Sequence, residues 1–317
     1  MTKLKVQLNH PGNQKPFKIG KGYTLFNDKI YREWNCDNHF RKFILNDGQY
    51  ISDVEDKEPK NTGLYFWGEW EGNSFFEPLN NNDYRRFPNG IHKPFHSRPQ
   101  NGTQNTDPYI FGDYFKYATC KQTGSLYNLE ENSLILFGST YPSFDKFYID
   151  TVFVVKSFER AVDVCSNSAQ NYTKTYKEQT LEQLNTEYLG PKPSTKKRLY
   201  HGKFWFENRN YFSYVPCKLN SDKSGFERFY IDLNNPILNL SKNATGKSFL
   251  PNCHLSPEEV WKFITKEVLK QGFILGIKFS EPNLFNLQLN NKVAILGRRS
   301  NSYLNPIAGE PSSHEPK

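Results

Sequence analysis

Along much of this chain apolar and polar residues alternate with a period of two, the pattern of strands that bury one face. Lys3-Leu4-Lys5-Val6-Gln7 opens with that alternation and reads as a first strand. It has no continuous apolar stretch of the kind a secretion signal needs. Residues 134–137 (Leu-Ile-Leu-Phe) and 148–155 are the clearest strands, and the spacing predicts a hairpin between them across residues 138–146. Further on, residues 199–205, 212–216 and 229–233 carry the aromatic and β-branched side chains that suit a pleated surface. One helix is well signed. Ser256-Pro257-Glu258-Glu259 supplies an N-cap, a proline at the first helical position and a capping-box glutamate. Val260, Phe263, Ile264 and Val268 then form an apolar stripe, and Gly272 closes it. A looser helical spacing spans residues 174–189 and stops at Gly190-Pro191.

These elements predict an α+β fold dominated by β structure, a barrel or strongly twisted mixed sheet with a few peripheral helices. Residues 1–165 form a β-rich part in which short strands are separated by long Asn/Gly/Pro/aromatic loops. Residues 166–198 form a helical and basic connection. Residues 199–304 form an α+β part expected to pack on the first as one composite domain. Residues 305–317 are Pro/Gly/Ser/Glu-rich and read as a frayed tail.

Composition narrows the class. The 317 residues include 26 Phe, 19 Tyr and 5 Trp, far too aromatic for a disordered chain. The longest apolar runs, such as residues 152–155, fall well short of the about 18 residues a spanning helix needs, so no membrane partner is expected. The five cysteines are scattered and form no CxxC pair, which argues against both a zinc ribbon and a disulfide framework; reduced thiols and a cytoplasmic location are the expectation. A formal charge of +8, from 41 basic against 33 acidic side chains, favours a polyanionic partner, DNA in the first place; a basic but inert surface has the same charge.

Two clusters carry candidate chemistry. The first is Phe66-Trp67-Gly68-Glu69-Trp70-Glu71-Gly72. As a strand it puts Tyr65, Trp67, Glu69 and Glu71 on one face and Phe66, Gly68 and Trp70 on the other. Rings beside carboxylates suit a pocket that stacks a base and supplies an acid, a base or a hydrogen-bond acceptor. They equally suit an edge strand with solvated glutamates and a core tryptophan. The second cluster runs from Gln104-Asn105-Thr106-Asp107-Pro108 to Cys120-Lys121-Gln122. Its amides Gln104, Asn105 and Gln122, with Asp107, can read the hydrogen-bonding edge of a base. Tyr117 offers a stacking plane, Asp113 a carboxylate, and Lys116 and Lys121 phosphate contacts. An ordinary loop stapled by Asn and Asp turns has the same composition.

Other positions add less. Asp150 sits among apolar neighbours in a strand, where an ionised carboxylate needs a partner. Tyr200 and His201 repeat the polar–aromatic theme. Lys93, Arg98, Lys196, Lys197 and Arg198 are basic and placed to meet a DNA backbone. His92 and His96 stand four apart, but Pro94 removes the helix that would make them metal ligands, and no metal or other cofactor is expected. The segment from Asn243 to Ser248 has the end of a phosphate-binding loop but Ser241 where its first glycine belongs, so no NTPase is indicated.

Three stretches together resemble a group of largely uncharacterised bacterial proteins: residues 63–71, residues 104–122, and Ser133-Leu134-Ile135-Leu136-Phe137-Gly138-Ser139 with residues 150–155. Tyr200-His201-Gly202 and residues 212–216 look similar as well. The turn followed by Leu-Ile-Leu-Phe-Gly and a second strand also resembles the barrels of modified-base readers of the PUA, ASCH and EVE group, and of nucleotide-modification-associated domains. That resemblance implies recognition of an altered base, often in phage defence, and more specifically an anti-phage DNA glycosylase acting on glucosylated hydroxymethylcytosine. No helix-hairpin-helix or uracil-glycosylase motif is present, so no catalytic residue carries over.

The expectation is therefore a DNA-acting hydrolase that flips a modified base into an aromatic pocket and cleaves its N-glycosidic bond. Glu69, Glu71, Asp113 and Asp150 are the candidate catalytic carboxylates. Trp67, Trp70, Gln104, Asn105, Asp107, Tyr117, Gln122, Tyr200 and His201 are the candidate base contacts. Lys93, Arg98, Lys116, Lys121 and residues 196–198 are the candidate backbone contacts. A reader of modified nucleic acid that breaks no bond, or an enzyme on a free nucleotide, is the alternative.

Overall fold

In the computed structural model the described residues are 3–9, 12, 15–26, 28–33, 40–98, 106–113, 115–117, 124–141, 143, 145–160, 198–219, 224–242, 245–250 and 253–286. The expected helix at 174–189, the basic segment 192–197 and the tail lie outside them.

The strands in chain order are β1 (Lys5–Asn9), β2 (Tyr23–Phe26), β3 (Lys29–Arg32), β4 (Arg41–Ile51), β5 (Lys60–Glu69), β6 (Ser74–Pro78), β7 (Gly90–Pro94), β8 (His96–Arg98) and β9 (Lys116–Tyr117). A short 3-10 helix (Gly124–Asn128) follows, then β10 (Leu134–Ser139), β11 (Lys146–Arg160), β12 (Arg198–Gly202), β13 (Val215–Leu219), β14 (Tyr230–Asp232) and β15 (Thr245–Phe249). Helix α1 (Pro257–Lys270), β16 (Ile274–Phe279) and β17 (Leu284–Asn286) complete the described chain. The fold is β-dominated α+β, as the alternation predicts.

One sheet runs β15-β1-β10-β11-β12-β9, with β14 also on β11. A second, of eight strands, runs β16-β13-β5-β4-β7-β6-β3-β2, while β17 and β8 pair separately as a two-stranded sheet. In the eight-stranded sheet the order closes on itself: β16 also pairs with β4, so β4, β5, β13 and β16 close into a four-stranded barrel. That closure depends on Gly48, opposite Phe279: a Cβ there would lie 2.5 Å from the Lys278 carbonyl oxygen.

The long pair β4–β5 separates two cores. Phe43 stands opposite Trp67 and Ile44 opposite Phe66. Successive residues point to opposite faces. Phe43, Tyr65 and Trp67 therefore join Val152, Tyr214 and Trp261 in one cluster, while Ile44, Phe66 and Trp70 join Phe111, Val215 and Phe279 in the other. The alternation drawn from the sequence holds for Tyr65, Phe66 and Trp67, but β5 ends at Glu69, so Glu71 lies beyond the strand and shares no strand face with them.

The β10–β11 hairpin also forms as expected, with Leu134 opposite Val154 and Ser139 opposite Tyr148. β11 continues past Val155 to Arg160, however, and there exchanges β10 for β12. Strands of the 199–304 part are woven into both sheets of the first part, through β12 on β11 and β13 on β5. Residues 212–214 do not extend a strand as expected. They cross to make an isolated bridge from Tyr214 to Val152, and β13 starts one residue later.

Helix α1 carries its capping box: Ser256 Oγ accepts from the Glu259 N–H and Glu259 accepts from the Ser256 N–H. Val260, Trp261, Ile264 and Val268 are buried, and Trp261 Nε1 donates to the Phe212 carbonyl at 2.8 Å. Gly272 ends the helix at φ +75°, a conformation that favours glycine.

Candidate functional site

β11 leaves the core after Val155, and the burial pattern of its last residues turns from buried to exposed. Alternation continues there, so Ser157 and Glu159 share a face. β12 lies beside this overhang with His201 opposite Ser157, and β9 lies beside β12 with Lys116 opposite His201. Short β9 and β12 and the end of long β11 thus bring Lys116, His201 and Glu159 together.

They line a cleft of about 660 Å³, with Asp113, Lys156, Glu207 and Lys278 around them and the rings of Phe115, Phe204 and Phe206. This volume is in the about 300–1,000 Å³ range of small-molecule sites. Phe115 and Phe204 pack edge-on, centroids 5.7 Å apart, and form an apolar wall. Phe206 is 54% exposed and presents its ring to solvent.

The electrostatics of the cleft are specific. His201 Nε2 and Glu159 Oε1 are 2.6 Å apart. Burial is the main reason the His201 pKa lies below its ordinary value, and the Lys116 charge adds to it; Glu159 opposes both. Burial also brings the Lys116 ammonium down from 10.5 to about 8, again against Glu159. At neutral pH the imidazole is therefore poised as a base, and a minor fraction of Lys116 is a deprotonated amine. At the rim Lys278 meets Asp113 at 2.6 Å, and Lys156 pairs with Glu207. Three lysines stand against three carboxylates, so the walls carry opposite charges side by side.

Of the residues singled out in the sequence, this cleft unites Asp113, Lys116 and His201. Glu69 and Asp150 are elsewhere and are corrected. Both are buried in ion pairs: Arg41 Nη1 meets Glu69 at 2.8 Å, Arg41 Nε meets Asp150 at 2.6 Å, and Arg228 grips both Asp150 oxygens at 2.7 and 2.6 Å. Arg228 also donates to Ser139 Oγ and the Tyr148 carbonyl. These carboxylates are charge partners inside the protein, cut off from any substrate.

The stacking assignments change in the same way. Trp67 and Trp70 lie in different cores, and their indole N–H groups donate to the carbonyls of Phe226 and Asn73. Tyr117 and Tyr200 stack on each other, fully buried, 5.9 Å apart. The Tyr200 hydroxyl donates to the Leu126 carbonyl, and burial raises its pKa to about 12. Trp67, Trp70 and Tyr200 are core, each with its polar group on a backbone carbonyl, and Tyr117 is buried between the rings of Tyr200 and Phe137.

Glu71 and Asp107 are buried, and the Glu71 N–H donates to Thr106 Oγ1. Among the basic candidates, Arg198 lies 3.7 Å over the Phe158 ring and donates to the Leu129 carbonyl, a structural post rather than a free phosphate contact. Lys93 is exposed on β7 and pairs with Glu77, while Arg98 ends β8. Gln104, Asn105, Lys121, Gln122, Lys196 and Lys197 lie outside the described residues.

Glu159, Lys156, Glu207, Phe204, Phe206 and Lys278 escaped the sequence reading. For Lys156 and Glu159 a signal existed: the apolar run of residues 152–155 gives way to Lys156-Ser157-Phe158-Glu159, a strand leaving its core.

No group of three or more metal-ligating side chains is present among the described residues, and no described helix is long and apolar enough to cross a membrane. Comparison of the chain with family models, curated proteins and solved structures finds no match.

Proposed function

We propose that the protein is a DNA-acting enzyme that takes a modified base into the cleft between β9, β12 and the end of β11 and breaks its N-glycosidic bond. The observation that carries this reading is the juxtaposition of Lys116, His201 and Glu159 on neighbouring strands inside a nucleoside-sized cleft. A desolvated lysine is a nucleophile at neutral pH, and a histidine held by a carboxylate is its proton acceptor.

The chemistry balances as follows. The neutral Lys116 amine attacks C1′ of the deoxyribose, and the C1′–N bond breaks with its electron pair leaving on the base, which takes a proton from solvent. The amine proton passes to His201, whose charge Glu159 stabilises. The sugar ring then opens to an imine on Lys116, with its oxygen taking up the proton that His201 holds. Water hydrolyses the imine, which frees the amine and leaves an abasic site. Glu159 and Asp113 also face the positive charge that develops at C1′ in the transition state. The exposed Phe206 ring is a stacking surface for an extruded base. Lys156 and Lys278 stand at the rim, where phosphates pass, and the +8 formal charge favours the encounter.

A glucosylated hydroxymethylcytosine, as in phage DNA, is the proposed target. The test incubates the protein with normal, hydroxymethylated and glucosylated duplexes. Alkali-labile breaks confined to a modified duplex support the reading. Retarded but intact DNA makes the protein a reader, and turnover of free nucleotides with no action on DNA makes it a nucleotide enzyme; either outcome overturns the glycosylase.

A further inference from the structure

We propose that Arg32, His92 and Lys42 form an enclosed site for a small oxyanion of the phosphate type, separate from the cleft and independent of its activity.

The three residues share one face of the eight-stranded sheet. Arg32 lies opposite Ser74, and Phe76, two residues on, lies opposite His92. Ile44 aligns with His92 on the other side, and Lys42 is two residues before it, so its side chain leaves the same face. Ser74 is the common neighbour: it is the cross-strand partner of Arg32, and its hydroxyl is 2.9 Å from His92 Nδ1. All three basic side chains are fully buried.

Their hydrogen bonding is incomplete in one direction. Arg32 Nη1 donates to the Gly72 carbonyl at 2.8 Å, whereas its Nε and Nη2 groups have no acceptor among the described residues. His92 Nε2 likewise has no partner there. In the tautomer in which Nδ1 accepts from Ser74, Nε2 carries the hydrogen and is also a donor. Burial, and after it the charges of Arg32 and Lys42, hold His92 well below its ordinary pKa.

A buried guanidinium without a counter-charge is among the most costly arrangements in a protein, and buried polar groups are as a rule satisfied. A ligand that only accepts hydrogen bonds and carries negative charge answers both requirements. Arginine's planar fork fits a phosphate in two-point contact. The rings of Tyr23 and Phe76 flank His92, with centroids 6.4 and 4.8 Å away, and the site is buried, so its ligand is a free anion or a terminal phosphate rather than a backbone phosphodiester.

The experiment titrates inorganic phosphate into the full chain at constant ionic strength, by calorimetry and by thermal melting. The expected result is saturable one-site binding with a rising Tm, competed by a nucleoside 5′-monophosphate but not by the unphosphorylated nucleoside or by a duplex without terminal phosphates. Arg32→Gln is expected to weaken binding roughly tenfold or more, and His92→Gln less. Arg32→Lys keeps the charge without the fork, and covers the case in which Arg32→Gln does not fold; it too is expected to lose affinity. Absence of saturable binding by the wild type, or equal affinity in all three variants, overturns the site, as does tight competition by the duplex.

Discussion

Arg41 and Asp150 come from different sheets, β4 and β11, and meet 2.6 Å apart with their side chains shut off from solvent. Arg41 holds Glu69 with its other arm, and Arg228 closes on Asp150 from the opposite side. The four charges sum to zero and tie the barrel to the second sheet at the level where the two cores divide.

Removing one member leaves its partners charged and buried. Asp150→Asn keeps the shape but abandons two guanidinium groups, and such losses cost about 3–5 kcal/mol. Urea denaturation is expected to show a lower midpoint of that size. A loss below about 1 kcal/mol, the value of an exposed pair, would mean that the network is hydrated.

Trp67 belongs to the core, with its N–H on the Phe226 carbonyl, and Phe206 belongs to the cleft. Trp67→Phe is expected to cost about 1–3 kcal/mol in unfolding while leaving any base release unchanged per folded molecule. Phe206→Ala is expected to do the reverse. If Trp67→Phe removed activity without loss of stability, the pocket assignment first suggested by the sequence would be restored.

Lys116 makes stability depend on pH in a definite sense. Its folded pKa of about 8 lies below its ordinary 10.5. Well below pH 8 it is protonated in both states, and there the folded protein carries the full desolvation penalty. Between 8 and 10.5 the folded state releases a proton that the unfolded state keeps, and stability gains with pH. Lys116→Met is therefore expected to be more stable than wild type at pH 7, with the difference shrinking as pH rises towards 10.5. Paired melting curves across that range check the sign; a difference that grew with pH would contradict it.

The start of α1 offers a simpler check. Ser256→Ala removes the acceptor for the Glu259 N–H and is expected to cost about 1 kcal/mol. Chemical denaturation with unchanged m-value would show it, and no change would mean that water replaces the cap.

Elements governed by local rules were legible in the sequence. The capping box, the β10–β11 hairpin and the two faces of β5 each depend on residues within one segment, where period and cap chemistry suffice. Trp261 shows the limit. It lies next to the expected apolar stripe, yet it is buried because the Phe212 carbonyl accepts its N–H from another element. The site was legible only in part for the same reason. Asp113, Lys116 and His201 were singled out for their type, but nothing near position 116 announces Glu159, which arrives through the switch of β11 from β10 to β12. Glu69 and Asp150 misled because a buried ion pair and a catalytic carboxylate carry the same residue types. Only the arginines opposite them, far off in sequence, tell the two apart.

The central claim is that Lys116 bonds covalently to the sugar. Glucosylated duplex incubated with the protein and borohydride is expected to give a stable protein–DNA adduct, because the imine is reduced to an amine. Peptide mapping is expected to place that adduct on Lys116, and Lys116→Ala is expected to form none. Base release without any trapped adduct, or an adduct on another lysine, would contradict the account.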